Sequence, residues 1–161
     1  MRRVLAALVL LSAIASGEEY PRFANYPKFL EVKTVIPSEQ LLALDVTPVT
    51  LVSQTLSSCI PVLYAYAVDK PAGTAYAGIA AGEDLQIETS DSVSHIVIET
   101  TGFLDQATRQ RRAGRVGASF SPVQLTGSFG LALRIRLLAG AITTGTSPLI
   151  LTITYVEVCN V

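Results

Sequence analysis

From Leu30 onward, apolar and polar residues alternate along much of the chain, and this alternation predicts β-strands. A period of two places successive side chains on opposite faces of a sheet, so that one face is buried and the other is exposed. Leu30, Val32, Thr34 and Ile36 form the first apolar set. Further strands are predicted over residues 42–46, 49–56, 59–68, 85–89, 94–101, 116–126, 129–137 and 149–155.

The pattern predicts an all-β fold. Outside the first residues no window carries a helical stripe, and turn signals recur at the spacing typical of β-sandwiches. We expect a single antiparallel β-sandwich over residues 30–161, jelly-roll-like, with about eight to ten strands. The segment 59–68 is apolar on both faces, which predicts a central strand with Tyr64 and Tyr66 packing on one side. The polar stretch 102–117 is predicted to be a long loop.

The first seventeen residues have the build of a secretory signal peptide. Arg2 and Arg3 precede an apolar run over residues 4–15, and the small residues Ser16 and Gly17 follow it. A helix of about a dozen residues spans about 18 Å, well short of the roughly 30 Å hydrocarbon core of a membrane. We therefore expect cleavage after Ala15 or Gly17 and an exported mature protein, secreted or at the cell surface, without a membrane span.

The charge and composition of the chain indicate which classes of binding partner are favoured. Without Arg2 and Arg3 the chain has ten basic residues against thirteen acidic ones, a formal net charge of about −3. Such a balance gives no attraction to nucleic acid or anionic lipid. Half of the residues are hydrophobic and only 16% are charged, below the usual quarter. A surface so poor in charge favours lateral packing against other subunits.

Cys59 and Cys159 are the two cysteines of the chain. An even count in an exported protein predicts one disulfide, which would tie the last strand to an early one. A pair of free buried thiols is the alternative. Two distant thiols and the single His95 match no zinc spacing.

Residues 18–29 form a segment that we call the arm, in which the unit Tyr-Pro-basic-Phe occurs twice. In the extended conformation that Pro21 and Pro27 favour, its aromatic residues line one face of a polyproline II helix. In a β-strand the prolines would confine the arm to a sheet edge. Its docking groove belongs either to the same sandwich or to a neighbouring subunit, to whose sheet the arm would add as a strand. The contact residues would be Tyr20, Phe23, Tyr26 and Phe29.

The predicted polar loop carries the densest cluster of charge: Arg109, Arg111, Arg112 and Arg115. A solvated loop explains such a run, and recognition of a carboxylate or sulfate by arginine forks is the functional alternative. The basic run 109–112 also fits a pattern for proteolytic processing. For Arg134 and Arg136, on one face of an apolar strand, we expect cross-strand pairs with acids such as Glu99 or Glu157. A ligand-facing pair is the alternative.

Metal and catalytic signals are weak. Glu83, Asp84, Glu88 and Asp91 could offer oxygen ligands to calcium, although their spacing matches no EF-hand. His95 lies in a predicted strand, where a lone histidine is usually structural. The sequence contains no Gly-x-Ser-x-Gly, His-Glu-x-x-His or phosphate-binding glycine-loop motif. Two acids could meet in space as a glycoside hydrolase pair, but the spacing singles out no such pair. We therefore expect no enzyme and no resident cofactor.

In layout, the chain resembles exported β-sandwich fibre proteins of the TasA and camelysin type, including archaeal bundling pilins. The resemblance covers the order of leader, arm and sandwich. It implies a homopolymeric extracellular filament, pilus, sheath or coat assembled by donor-strand complementation. The alternative is an extracellular binding module for carbohydrate or an anionic ligand, which would use the arginine cluster.

Overall fold

The computed structural model describes residues 28–53, 59–116 and 130–159. The predicted signal peptide, residues 18–27 of the arm and nearly all of the predicted strand 116–126 lie outside the described residues. Within them the chain forms eight strands and one short helix: β1 Phe29–Ile36, α1 Ser38–Leu41, β2 Val49–Val52, β3 Cys59–Lys70, β4 Leu85–Thr89, β5 Ser94–Ile98, β6 Gln110–Arg115, β7 Leu133–Leu137 and β8 Leu149–Cys159.

The strands form two antiparallel four-stranded sheets. Sheet A has the order β1-β8-β3-β6, and sheet B has the order β2-β7-β4-β5. The pairing is nested, because β1 pairs with β8, β2 with β7, β3 with β6 and β4 with β5. The predicted all-β sandwich is confirmed, and so is the central position of β3. The nested order is compatible with the jelly-roll winding, which stays a prediction.

The core lies between the two sheets. Val68 and Leu151 contribute to it from sheet A, and Ile87 and Ile135 from sheet B. In β7, Leu133, Ile135 and Leu137 are buried, while the arginines between them are half-buried. The alternation in the sequence therefore identifies the inward face of this strand correctly. No helix in the described ranges is long and apolar enough to cross a membrane.

The predicted strand over residues 42–46 is wrong. After Pro37 the chain forms α1, in which the Leu41 amide donates to the Pro37 carbonyl at 3.0 Å, and a turn follows it. Leu41 and Leu44 are both fully buried. Their spacing of three residues suits one side of a helical turn, so the same apolar residues are buried without strand pairing.

Tyr64 and Tyr66 do not pack on one side of β3. The pairing of β3 with β8 shifts between Leu63 and Ala65, which leaves Tyr64 as an extra residue. Tyr64 is exposed, whereas Tyr66 packs against the core. A bulge of one residue changes which face the following side chains occupy, and the sequence pattern does not reveal it.

The Cys59–Cys159 disulfide is confirmed. The two residues are direct partners in the pairing of β3 with β8, and they are 100 residues apart in sequence. The bond closes one end of the central strand pair of sheet A.

Gly114 in β6 is required by a close approach to Tyr66. A Cβ atom at this position would lie 2.9 Å from Cε1 of Tyr66. We expect Gly114→Ala to lower the free energy of unfolding by about 1–2 kcal/mol, because the tyrosine ring must shift within a packed region. Urea unfolding measures the change. Ala113→Ser, at the exposed neighbouring position, is the control, and equal stabilities of the two variants would contradict the contact.

Because of Tyr76, the free energy of unfolding is expected to depend on pH in the alkaline range. Its hydroxyl donates to the carbonyl of Ser147, and burial, followed by the charge of Glu39, raises the pKa of Tyr76 from 10.0 to about 12. Between these values the unfolded chain loses the proton first. The free energy of unfolding should therefore fall by up to about 1.4 kcal/mol per pH unit between pH 10 and about pH 12.

Denaturant unfolding at pH 9, 10 and 11 tests this dependence. We expect Tyr76→Phe to reduce the slope, although it also removes the hydrogen bond to Ser147. A remaining slope comes from Tyr155, because burial also raises the pKa of that residue. An unchanged slope in Tyr76→Phe would show that Tyr76 does not supply the dependence.

Candidate functional site

The two edge strands of sheet A differ in charge. β1 has the sequence FLEVKTVI, whereas β6 has the sequence QRRAGR. In natural proteins, charged side chains on an edge strand prevent unwanted pairing with another chain. A long, regular edge strand without this protection is a template for such pairing. Among the described strands, β1 is therefore the edge of sheet A best suited to receive an additional strand.

β1 is regular along its whole length. All eight residues from Phe29 to Ile36 pair with β8 without a register shift. Its inward side chains end at the fully buried Ile36, and its outward face includes Val35, which is 58% exposed. Among the described residues, β1 has β8 as its strand partner on one side only. Its backbone can therefore offer alternate N–H and C=O groups on the other side.

Phe29, the last residue of the predicted arm, is the first residue of β1. The residue is 53% exposed, and the centroid of its ring lies 4.8 Å from that of the Tyr64 ring. The guanidinium carbon of Arg115 lies 6.0 Å from the centre of the Tyr64 ring. Phe29 thus packs on its own sandwich. The other predicted contact residues, Tyr20, Phe23 and Tyr26, lie outside the described residues.

The predicted loop over residues 102–117 is wrong for residues 110–115, which form β6. The segment 110–115 has too few apolar residues to predict a strand from the sequence. It forms a strand because its backbone pairs along its whole length with residues 65–70 of β3. Arg111 and Arg115 are exposed, while Arg112 is half-buried between them. The strand therefore places Arg111 and Arg115 on one face and Arg112 on the other, while Arg109 lies just before the strand.

Each of these arginines has a partner within the protein. Arg109 lies 3.3 Å and Arg111 4.0 Å from carboxylate oxygens of Asp69. Arg112 donates to the Gly102 carbonyl at 3.1 Å and lies over the ring of Phe103. Arg109 and Arg111 are largely exposed, so their pairs with Asp69 contribute little to stability. Arg109 and Arg111 therefore converge on a carboxylate of the protein itself, whereas Arg112 lies apart from them with its own partners.

A second charged cluster lies on sheet B, around Glu88. This carboxylate is fully buried and accepts a hydrogen bond from Gln86 at 2.6 Å. Arg134 Nε donates to Glu88 Oε1 at 2.8 Å, and Arg136 Nε lies 3.2 Å from Glu88 Oε2. The expected cross-strand pairing is present, but its acid is Glu88 and not Glu99 or Glu157. The direct pairing of Glu88 with Arg134 across β4 and β7 explains the choice.

Lys70 is a buried charge that the sequence analysis missed. It is fully buried at the end of β3, and its Nζ donates to the Gln106 carbonyl at 2.6 Å. Burial lowers the pKa of Lys70, while the nearby Asp105 opposes the shift. A signal was present, because Lys70 continues the inward alternation from Val68. The lysine ties the end of β3 to the segment that leads into β6.

The predicted calcium ligands have other partners. Glu83 accepts from the Ala80 amide at 2.7 Å, and Asp84 accepts from the Thr100 amide at 3.1 Å. The Asp91 carboxylate accepts from the Thr89 hydroxyl. Within the described ranges, no three His, Cys, Asp or Glu side chains come together as a metal site would require.

His95 is half-buried in β5. Burial lowers the pKa of His95, and the charge of Asp91 opposes this effect. The residue therefore favours its neutral form, as a structural histidine does.

A groove of about 390 Å³ opens beside β2, the edge strand of sheet B. This volume is within the range of about 300–1,000 Å³ that is typical of binding pockets. The groove lies where α1 and the following turn lead from β1 into β2. Its lining residues are Glu39, Gln40, Ala43, Thr47, Pro48, Val49 and Thr50.

Comparison of the chain with protein-family models, with curated proteins and with solved structures finds no match.

Proposed function

We propose that this protein is a secreted structural subunit that assembles into an extracellular filament, pilus, sheath or coat. In the assembly, the arm of one subunit adds as a strand to β1 of the next subunit. The observation that carries the proposal is the contrast between the long, regular β1 and the arginine-rich β6 at the two edges of sheet A. Main-chain hydrogen bonds along an edge supply affinity in such β-strand addition.

The arm has the proline spacing that an added edge strand needs. Pro21 and Pro27 are six residues apart, and residues an even number apart direct their backbone groups to the same side of a strand. Both missing N–H groups therefore lie on one side of the arm. The amides of the even-numbered residues, such as Ala24, remain available on the other side. The arm can pair with an acceptor strand on one side only, which limits the sheet to one added strand.

Assembly agrees with the composition of the chain and with its resemblance to secreted β-sandwich fibre subunits. The alternative, a binding module for carbohydrate or an anionic ligand, depends on the arginine cluster. Since Arg109 and Arg111 pair with Asp69 while Arg112 contacts Gly102 and Phe103, the geometry favours assembly over that alternative.

A matched pair of proline variants tests the proposal in the protein of residues 18–161. Ala24→Pro places a missing amide on the pairing side of the arm, whereas Asn25→Pro places it on the side of Pro21 and Pro27. We expect Ala24→Pro to raise the concentration needed for assembly about tenfold, since it removes one main-chain hydrogen bond and adds a steric clash. Asn25→Pro should assemble as the wild type does.

Light scattering against protein concentration measures the difference. If the two proline variants assemble equally well, the arm does not add to a sheet by main-chain pairing. If residues 18–161 stay monomeric at all concentrations, the proposed assembly itself is wrong.

A further inference from the structure

The groove beside β2 is placed to hold the far end of an added arm. β1 leads into α1, and Glu39 and Gln40 of α1 line the groove. Pro48 and Val49, at the start of β2, line it as well. Since β1 and β2 are edge strands of their sheets and contact each other, the groove and the β1 edge share one side of the sandwich.

We propose that this groove binds the first Tyr-Pro-basic-Phe unit of the arm of a second copy, with the Tyr20 ring in the groove and Arg22 beside Glu39. The inference deepens the proposed function and rests on it. Ala43, Pro48 and Val49 supply apolar contacts for an aromatic ring. Thr47 and Thr50 line the same groove and can hydrogen-bond a phenolic hydroxyl, as a half-buried tyrosine requires.

The length of the arm places Tyr20 at this position. The eight residues of β1 span about 26 Å, whereas the eleven residues 18–28 extend over about 34 Å. The described pairs of sheet A are all antiparallel, and an arm that continues this pattern runs from the start of β1 toward its end as its own residue numbers decrease. Its N-terminal residues then pass Ile36 and reach α1.

Charge complementarity supports the same occupant. Among the described lining residues, Glu39 is the one with a charged side chain, and it is exposed. The arm carries a basic residue in each of its two units, Arg22 and Lys28. Tyr20 and Arg22 lie on the same face of an extended strand, so that the ring can enter the groove while the guanidinium meets the Glu39 carboxylate at its rim.

The experiment uses a fluorescently labelled peptide of residues 18–28 and the protein of residues 29–161, which lacks its own arm. Fluorescence anisotropy measures the dissociation constant. We expect Glu39→Lys in the protein, or Arg22→Glu in the peptide, to weaken binding about tenfold, and the two changes together to restore it. Ala43→Phe should fill the groove and weaken binding to a similar extent. Glu99→Lys, at an exposed acid just after β5, is the control.

Each other outcome overturns the inference in a recognisable way. If the peptide binds but Glu39→Lys and Ala43→Phe leave its affinity unchanged, the arm does not bind in the groove, while arm-mediated assembly stands. If the peptide does not bind although the protein of residues 18–161 assembles, the groove is again not the binding site of the arm. If the protein of residues 18–161 is monomeric and does not bind the peptide, whereas the protein of residues 29–161 does, the arm occupies the groove of its own subunit. If residues 18–161 are monomeric and no peptide binds, the proposed function fails as well.

Discussion

Loss of the Cys59–Cys159 disulfide is expected to lower the free energy of unfolding by about 4 kcal/mol. The bond closes a loop of 100 residues, and in the chain-entropy model a loop of this size restricts the unfolded state by about 4.7 kcal/mol. The bond also joins β3 to β8, the two inner strands of sheet A. Guanidinium unfolding of the Cys59→Ala/Cys159→Ala double variant measures the loss.

A reducing agent provides the control for the disulfide. Dithiothreitol should destabilise the wild type to about the level of the double variant and should leave the double variant unchanged. If the oxidised wild type and the double variant unfold at the same guanidinium concentration, the disulfide does not stabilise the fold.

Glu88→Gln is expected to cost about 3 kcal/mol of stability. The substitution keeps the shape of the side chain but removes the negative charge between Arg134 and Arg136. Removing one partner of a buried ion pair costs about 3–5 kcal/mol, because the remaining charge is left uncompensated. We expect the lower end of this range, since the two arginine side chains are 25% and 35% exposed.

Glu99→Gln is the matched control for Glu88, since it makes the same change at an exposed position beside sheet B. It should change stability by less than about 0.5 kcal/mol. A triple variant with methionine at residues 88, 134 and 136 should recover much of the loss, because replacing all charges leaves none uncompensated. Equal stabilities of Glu88→Gln and Glu99→Gln would contradict the role of the buried carboxylate.

The sequence predicts the fold where burial follows a regular period. β7 and β8 bury alternate apolar residues, and β1 turns alternate side chains toward the core, of which Ile36 is fully buried. For these strands the pattern and the structure agree. The pattern misleads where another geometry buries the same residues. Leu41 and Leu44 are buried by a helical turn, and β6 pairs through its backbone although half of its residues are arginine. The strand propensity of the β6 residues does not predict this strand, because β6 depends on the backbone partner that β3 supplies.

For the charged residues, too, the sequence predicts some features, whereas others depend on the tertiary structure. That Arg134 and Arg136 pair across strands follows from their alternation with buried residues, but the identity of Glu88 as their partner depends on the register of β7 against β4. Register arises from the packing of whole sheets. For the same reason the bulge at Tyr64 and the groove beside β2 are features of the tertiary structure, whereas the repeated unit of the arm is visible in the sequence alone.

Negative-stain electron microscopy with size-exclusion chromatography, comparing the proteins of residues 18–161 and 29–161, tests arm-mediated assembly most directly. We predict filaments or large ordered assemblies of the longer protein and monomers of the shorter one, with equal unfolding transitions as evidence that both are folded. A monodisperse monomer of residues 18–161, or equal assembly without the arm, would contradict the account.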